Sequence, residues 1–337
     1  MKYSGIGGQA VMEGVMMKNK DAYAVAVRKP DKTIEIKQEE TKSIFPKALT
    51  KIPIIRGVFN FIESIVVGMG TITYSSEVAL AGVEEEEPGK FEQFLTKTFG
   101  DKAEKIVMGF TVVLSICLAL GIFTVLPFFI SMAFKQIIDN YMVIALIEGV
   151  IRVTIFILYV KLISMMEDIK RLFMYHGAEH KCINCIEHGL PLTVENVRKS
   201  SKQHKRCGTS FLLIVMVISI LFFMFIRTDS PVLRLALRLL LIPVIAGVSY
   251  EFLRLAGRSD NIIVNILSKP GMWLQNLTTK EPEDEMIEVG IASVEAVFDW
   301  KEYLHENFGL DFCEKEEGTE DETMGAVADR GGDSEGC

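Results

Sequence analysis

The sequence lacks a secretory leader: "MKYSGIGGQAVMEGVMMKNK" has no continuous apolar core ahead of a small-residue cleavage site, so the first hydrophobic helix is expected to do the targeting. It also lacks a basic excess. With 36 Lys and Arg against 44 Asp and Glu the net charge is -8, and the basic residues crowd beside hydrophobic runs, which argues against a nucleic-acid partner. Internal repeats are absent, which counts against a repeat-built solute carrier. Histidine is scarce, five residues in 337, so its clustering carries information.

What is present is apolar. A hydrophobic fraction of 49% is too high for an ordinary soluble domain, and a charged fraction of 24% is too high for a chain wholly in lipid. Four runs are long enough to cross about 30 Å of hydrocarbon: Ile106 to Phe134, Tyr141 to Met166, Ser210 to Ile226 and Pro231 to Leu255. The first carries no charge, whereas the second holds Glu148 and Arg152 one helical turn apart, where they can pair. Arg234 and Arg238 share a face near the start of the fourth. The expected fold is an α-helical integral membrane protein of about four transmembrane helices, with a small N-terminal β element and cytoplasmic amphipathic helices. Its neighbour is the lipid bilayer.

Two links between the runs are short, "KQIIDN" and "RTDS", and one is long, Glu167 to Thr209. Lysine and arginine crowd the long link and the segments outside the outer spans, so the positive-inside rule puts that link and both termini in the cytoplasm of a cell membrane. Cysteines there should stay reduced. The chain divides into an N-terminal segment with a small β hairpin (1–53), interfacial helices and an acidic linker (54–105), spans one and two (106–166), the His/Cys link (167–209), spans three and four (210–256), cytoplasmic and interfacial helices (257–312) and an acidic, disordered tail (313–337).

Within the soluble parts, Ala22 to Arg28 and Thr33 to Gln38 read as alternating strands around a Lys-Pro-Asp-Lys turn. Residues 54–74 are apolar but broken by Arg56, Glu63 and four glycines, which suits a helix on the membrane surface better than a fifth span. "NIIVNILSKPGMWLQNLTT" suits a headgroup-level helix anchored by Trp273.

"YHGAEHKCINCIEH", Tyr175 to His188, holds three of the five histidines. Three metal readings compete. His176 and His180 match H-x-x-E-H, with Glu179 placed to act as a general base. Cys182 and Cys185, eighteen residues before "HKRC" with His204 and Cys207, have the spacing of a structural zinc site. A mixed set takes His176 and His180 with His204 or Cys207. Against these, two histidines one turn apart also serve as plain helix donors. Glu187 and His188 read as a solvated helix end, and Cys117 as packing. The glycines around Gln9 and Glu13 let the backbone approach something closely, but without a Lys-Ser/Thr ending they are weak evidence for phosphate, and a flexible start docked on the membrane competes.

"GGQAVMEGVMM", "YHGAEHK", "CGTSF", "GVSYE" and "PGMWLQNLTTKEP" occur in that order, and together they resemble the YqhQ family of bacterial and plastid membrane proteins, labelled predicted metal-dependent enzymes. The resemblance implies a site built from Gln9, Glu13, His176, Glu179, His180, His204, Cys207 and Glu251. It does not extend to Cys182 and Cys185, and Lys205 stands where the family pattern has proline.

Two functions follow. One is a hydrolase-like membrane enzyme whose divalent metal, zinc by its ligands, is held by His176, His180 and His204 or Cys207, with Glu179 as base and Glu13 assisting. The other is a non-catalytic protein whose His/Cys cluster holds a structural metal or packs, while its cytoplasmic parts recruit a membrane-biogenesis partner. The topology makes its own prediction: an impermeant thiol reagent added to intact cells should miss Cys182, Cys185 and Cys313, and labelling of this link from outside would overturn the orientation.

Overall fold

The computed structural model describes residues 2–41, 45–46, 52–82, 103–228, 230–258 and 261–312; the acidic linker and the tail lie outside them. The chain opens with four strands, β1 (Gly7–Val11), β2 (Gly14–Asn19), β3 (Ala22–Arg28) and β4 (Ile34–Glu40), in an antiparallel meander of order β1-β2-β3-β4. The two expected strands are therefore half of a larger sheet. Both extra strands come from the Gly-rich start, which is structured rather than a flexible arm. Glu13 and Lys20 take positive φ, 48° and 53°, in the two tight turns, and the Asp31 carboxylate closes the third by accepting from Thr33 N and Oγ1 at 2.9 and 2.6 Å.

Alternation explains how the sheet packs. Val15, Met17 and Ala26 face one way, into a core shared with Tyr175, Ala178, Cys182 and Met286. Val11, Met16, Val25 and Val27 face the other way, against Val78 and the partly buried Val67 and Tyr74. With both faces covered, each buried Val or Met adds about 1.5–3 kcal/mol as an upper estimate. The sheet is thus the middle layer between α1 (Ile55–Ala79) and two helices, α5 (Glu167–Glu187) and α10 (Asp284–Glu295).

The bundle contains α2 (Ala103–Leu120), which passes through a π-helical turn at Gly121–Val125 into α3 (Leu126–Phe134), then α4 (Tyr141–Ile163), α7 (Gly208–Met224) and α8 (Pro231–Arg258). Four helices are long and apolar enough to cross a membrane: Ile55–Ala79, Ile106–Phe134, Tyr141–Ile163 and Pro231–Ala256. The protein is an integral membrane protein. Helix α7, with 17 residues, is shorter but wholly apolar in character and packs between α4 and α8. The expected Glu148–Arg152 pair forms at 2.9 Å, and Arg238 reaches the same carboxylate. Arg152 also donates to Ser219 Oγ at 2.7 Å, so charges costly in lipid are turned into the bundle.

Helix α1 has the length of a span but different attachments. At its start Glu251, near the end of α8, accepts from Ile54 N at 3.4 Å and Arg56 Nε at 2.6 Å. Phe61 stacks 5.4 Å from Phe211 at the start of α7, and Ser75 Oγ accepts from Met12 N at 3.2 Å in the sheet. These contacts tie the start of α1 to α8 and α7 and its end to the sheet. The short α6 (Val194–Lys199), α9 (Ile262–Thr278) and α11 (Trp300–Phe308) complete the fold, with Trp273 exposed on α9. Cys182 and Cys185 are buried and would escape a thiol reagent from either side. A cysteine introduced at the exposed Glu195 in the same link is the reporter that tests orientation: it should react only after the cells are permeabilised.

Candidate functional site

Helix α5 begins with Glu167 and Asp168 in its first turn, where the helix dipole favours acids. Its second half is buried although it is rich in polar residues: Glu179, His180, Lys181, Asn184 and Glu187 are all under 5% exposed. The last turn of a short helix, 194–199, and the loop after it cover them, and the side chains satisfy their carbonyls. His180 Nδ1 donates to Lys202 O (2.6 Å), Lys181 Nζ to Arg198 O and Ser200 O (2.8 Å each), and Asn184 Nδ2 to Ser201 O (2.6 Å) and Gln203 O (2.9 Å). Each such carbonyl left bare would cost about 1–3 kcal/mol.

That loop delivers Cys207, the N-cap of α7, whose sulfur accepts from Thr209 N at 3.4 Å. His176 Nε2 lies 3.1 Å from the same sulfur, while its Nδ1 donates to Thr278 O at 2.8 Å. Thr278 can approach because Gly177 has no side chain: a Cβ there would sit 2.0 Å from Lys280 O. Among the described residues, one group of three His, Cys, Asp or Glu brings its ligand atoms within 4.8 Å of one another: His176, His180 and Cys207. Glu179 Oε2 lies 3.8 Å from His176 Nε2 and 3.7 Å from His180 Nε2. Gly8 of β1 closes over it, since a Cβ there would meet Glu179 Cγ at 2.7 Å.

Burial pushes the Cys207 thiol up, but the imidazoles of His176 and His180 outweigh it and hold the thiol well below its ordinary value. Burial in turn lowers His176, yet the Cys207 sulfur and the Glu179 carboxylate raise it to about 9. His180 is raised against burial by the same two groups, Glu179 first. The cluster is therefore a place for positive charge beside a thiolate and a carboxylate, and protons on imidazole are what a bound cation would displace. Cys182 and Cys185 differ: burial drives Cys182 well above the ordinary range and Cys185 to about 11.

The remaining sequence candidates separate. Gln9 lines the cavity over the cluster, a groove of about 750 Å³. His204 also lines it, with its ring centroid 5.8 Å from that of His180, but its Nε2 faces Glu187 at 3.5 Å rather than Cys207. Glu13 is in the hairpin turn, bonded to Arg171 at 2.7 and 2.6 Å and to Tyr175 OH at 3.1 Å, and it does not line the groove. Glu251 anchors α1 instead. Cys182 packs towards α10, where a Cβ on Gly290 would meet its sulfur at 2.9 Å, and Cys185 Sγ donates to Pro191 O at 3.4 Å. The C-x2-C site is not assembled, because two residues three apart near the helix end face the apolar core, away from His204 and Cys207.

Sequence reasoning missed Glu187, taken for a solvated end. It is 0% exposed and accepts from Ser4 N (2.9 Å), Ser4 Oγ (2.7 Å) and Arg206 Nη2 (2.5 Å). It also missed Gln275, which brackets His204 by accepting from its N at 2.8 Å and donating to its O at 2.7 Å. Gln275 and Thr278 lie inside "PGMWLQNLTTKEP", which was the available signal.

Burial would raise the Glu187 carboxyl, but His204, Arg206 and Ser4 bring it from 4.5 to about 2. A lowered folded pKa stabilises above the unfolded value and is lost as pH falls through the folded one. Glu187→Gln should therefore reduce stability at neutral pH by up to about 3 kcal/mol. The difference from wild type, followed by thermal unfolding in detergent, should close as pH falls from 4.5 towards 2. A difference that does not narrow in that window would contradict the assignment.

Comparison with known proteins agrees with the motifs. A family model described as "Protein of unknown function (DUF1385)" matches residues 52–300. The "Uncharacterized protein YqhQ" of Bacillus subtilis (strain 168) is 38% identical over 290 residues, covering 85% of this chain and 90% of that protein. No solved structure matches significantly. The chain, with its helical membrane bundle and His-x-x-Glu-His helix, belongs to the YqhQ (DUF1385) family.

Proposed function

We propose that the protein is a metal-dependent, hydrolase-like membrane enzyme whose site lies on the cytoplasmic face of the cell membrane. One observation carries the reading: both histidines spend Nδ1 on backbone carbonyls, Thr278 O and Lys202 O, which leaves both Nε2 atoms directed at Cys207 Sγ. Such outer bonds set the tautomer and orientation that a metal-ligating histidine needs. His176, His180 and Cys207 would hold the ion, and imidazole with thiolate favours zinc. A divalent ion bound there supplies Lewis acidity and acidifies a water.

The chain's own residues do the rest. Glu179, at 3.7–3.8 Å from both Nε2 atoms, accepts the proton at Oε2. Gly8 lets β1 close against it, and the side chain is buried, 4% exposed. Three ligands leave a position open, as catalytic sites do, whereas a structural site is closed by four. His204, the fourth candidate, is engaged with Glu187, which favours the enzyme over the structural metal and over a protein that only recruits a membrane partner.

Glu179→Gln should keep its metal, measured on detergent-purified protein, and lose function by about 10² to 10⁴-fold in a complementation assay, the range for a positioned acid or base. His180→Ala should lose the metal. The Cys182→Ala, Cys185→Ala double variant should retain it. Full function in Glu179→Gln would refute catalysis, and wild-type protein without metal would refute the metal.

A further inference from the structure

The groove over the cluster has two unlike sides. One is apolar: Val67 of α1 with Leu172 and Phe173 of α5. Val67 belongs to the side of α1 that packs on the sheet; Phe61, Ile62, Ile65, Val66, Met69 and Ile72 are exposed on the opposite face, outside the groove. These residues recur on one side of the helix, while Gly57, Gly68, Thr71 and Ser75 on the other are buried against α8 and the sheet.

The other side is basic. Lys18 and Lys20 line the groove from β2 and its turn, and Arg206 lines it from the loop before α7. Among the described residues neither lysine has an ion-pair partner, and Arg206 spends Nη2 on Glu187 while its buried Nη1 has no hydrogen-bond partner. Glu179 is the one carboxylate in the lining. The two sides are joined through β1: Gln9 abuts Gly68 of α1, and Gly7 pairs with Lys18.

We infer that the substrate class of this site is an anionic phospholipid-like amphiphile, its phosphate facing Lys18, Lys20 and Arg206 and its chains laid along Val67, Leu172 and Phe173. The inference rests on the enzyme reading for the word substrate, but its binding claim can be tested apart from the metal. A phosphate offered to two lysines without ion-pair partners, beside Arg206 and near a low-dielectric surface, is held more tightly than in water, and the apolar strip selects a molecule with a tail over a soluble ester.

The experiment uses the full chain in detergent and titrates short-chain phosphatidylglycerol, phosphatidylcholine of equal chain length, and inorganic phosphate, with binding read by native mass spectrometry. Phosphatidylglycerol should bind about tenfold or more tighter than phosphatidylcholine, and affinity should rise with chain length. Lys18→Gln with Lys20→Gln should remove most of the headgroup preference while metal content is unchanged. Equal affinity for both lipids, or full competition by inorganic phosphate at the lipid's own affinity, would overturn the inference and leave the metal reading standing. Selective lipid binding by wild-type protein that carries no metal would uphold the binding site and defeat the enzyme.

Discussion

Five carbonyls, from Arg198 at the end of α6 to Gln203 in the loop that follows, find their donors on α5, and the site depends on that constraint. A loop buried against a helix must have its backbone polar groups satisfied. Here the donors are His180, Lys181 and Asn184, so a helix of low overall hydrophobicity becomes one of the most buried elements of the protein. The same bonds determine where the loop ends, and it ends at Cys207, the cap of a membrane helix. Local hydrogen bonding thus carries a soluble helix and a membrane helix to the same point.

Glycine sets the remaining distances. Gly177 admits Lys280, just after α9, against α5, and this brings Thr278 O at the end of α9 to His176. Gly8 admits β1 over Glu179. A methyl group at either position would collide with backbone or with the acid itself, so the cluster is closed from two directions by residues that offer no side chain. The sheet that supplies Gly8 is held by apolar alternation on both faces, which makes the Gly-rich N-terminus a wall of the groove. The membrane bundle contributes stiffness: its charges are turned inward around Glu148, with Arg152 and Arg238 closing on one carboxylate.

Much of this was legible in the chain. Length and apolarity gave the spans at Ile106 to Phe134 and Tyr141 onward, and the one-turn spacing of Glu148 and Arg152 gave their pair. His176, Glu179 and His180 were found by their i, i+3, i+4 spacing. Strands β1 and β2 were harder, because glycine and methionine dilute alternation. Helix α1 shows the limit of reading by length: its 25 residues can cross a bilayer, yet glycines and charges within it made it read as a surface helix.

The sequence by itself determined the local periodicities, the membrane character and the presence of a His-x-x-Glu-His helix, because each depends on neighbours one or two turns away. The tertiary structure alone decided that Cys207, and not His204, Cys182 or Cys185, stands beside the histidines, and that Glu13 and Glu251 serve Arg171 and Arg56. Spacing along a chain says which side chains can share a helix face. Which segment arrives at that face depends on carbonyls that need donors and on glycines that leave room, and those are properties of the folded packing.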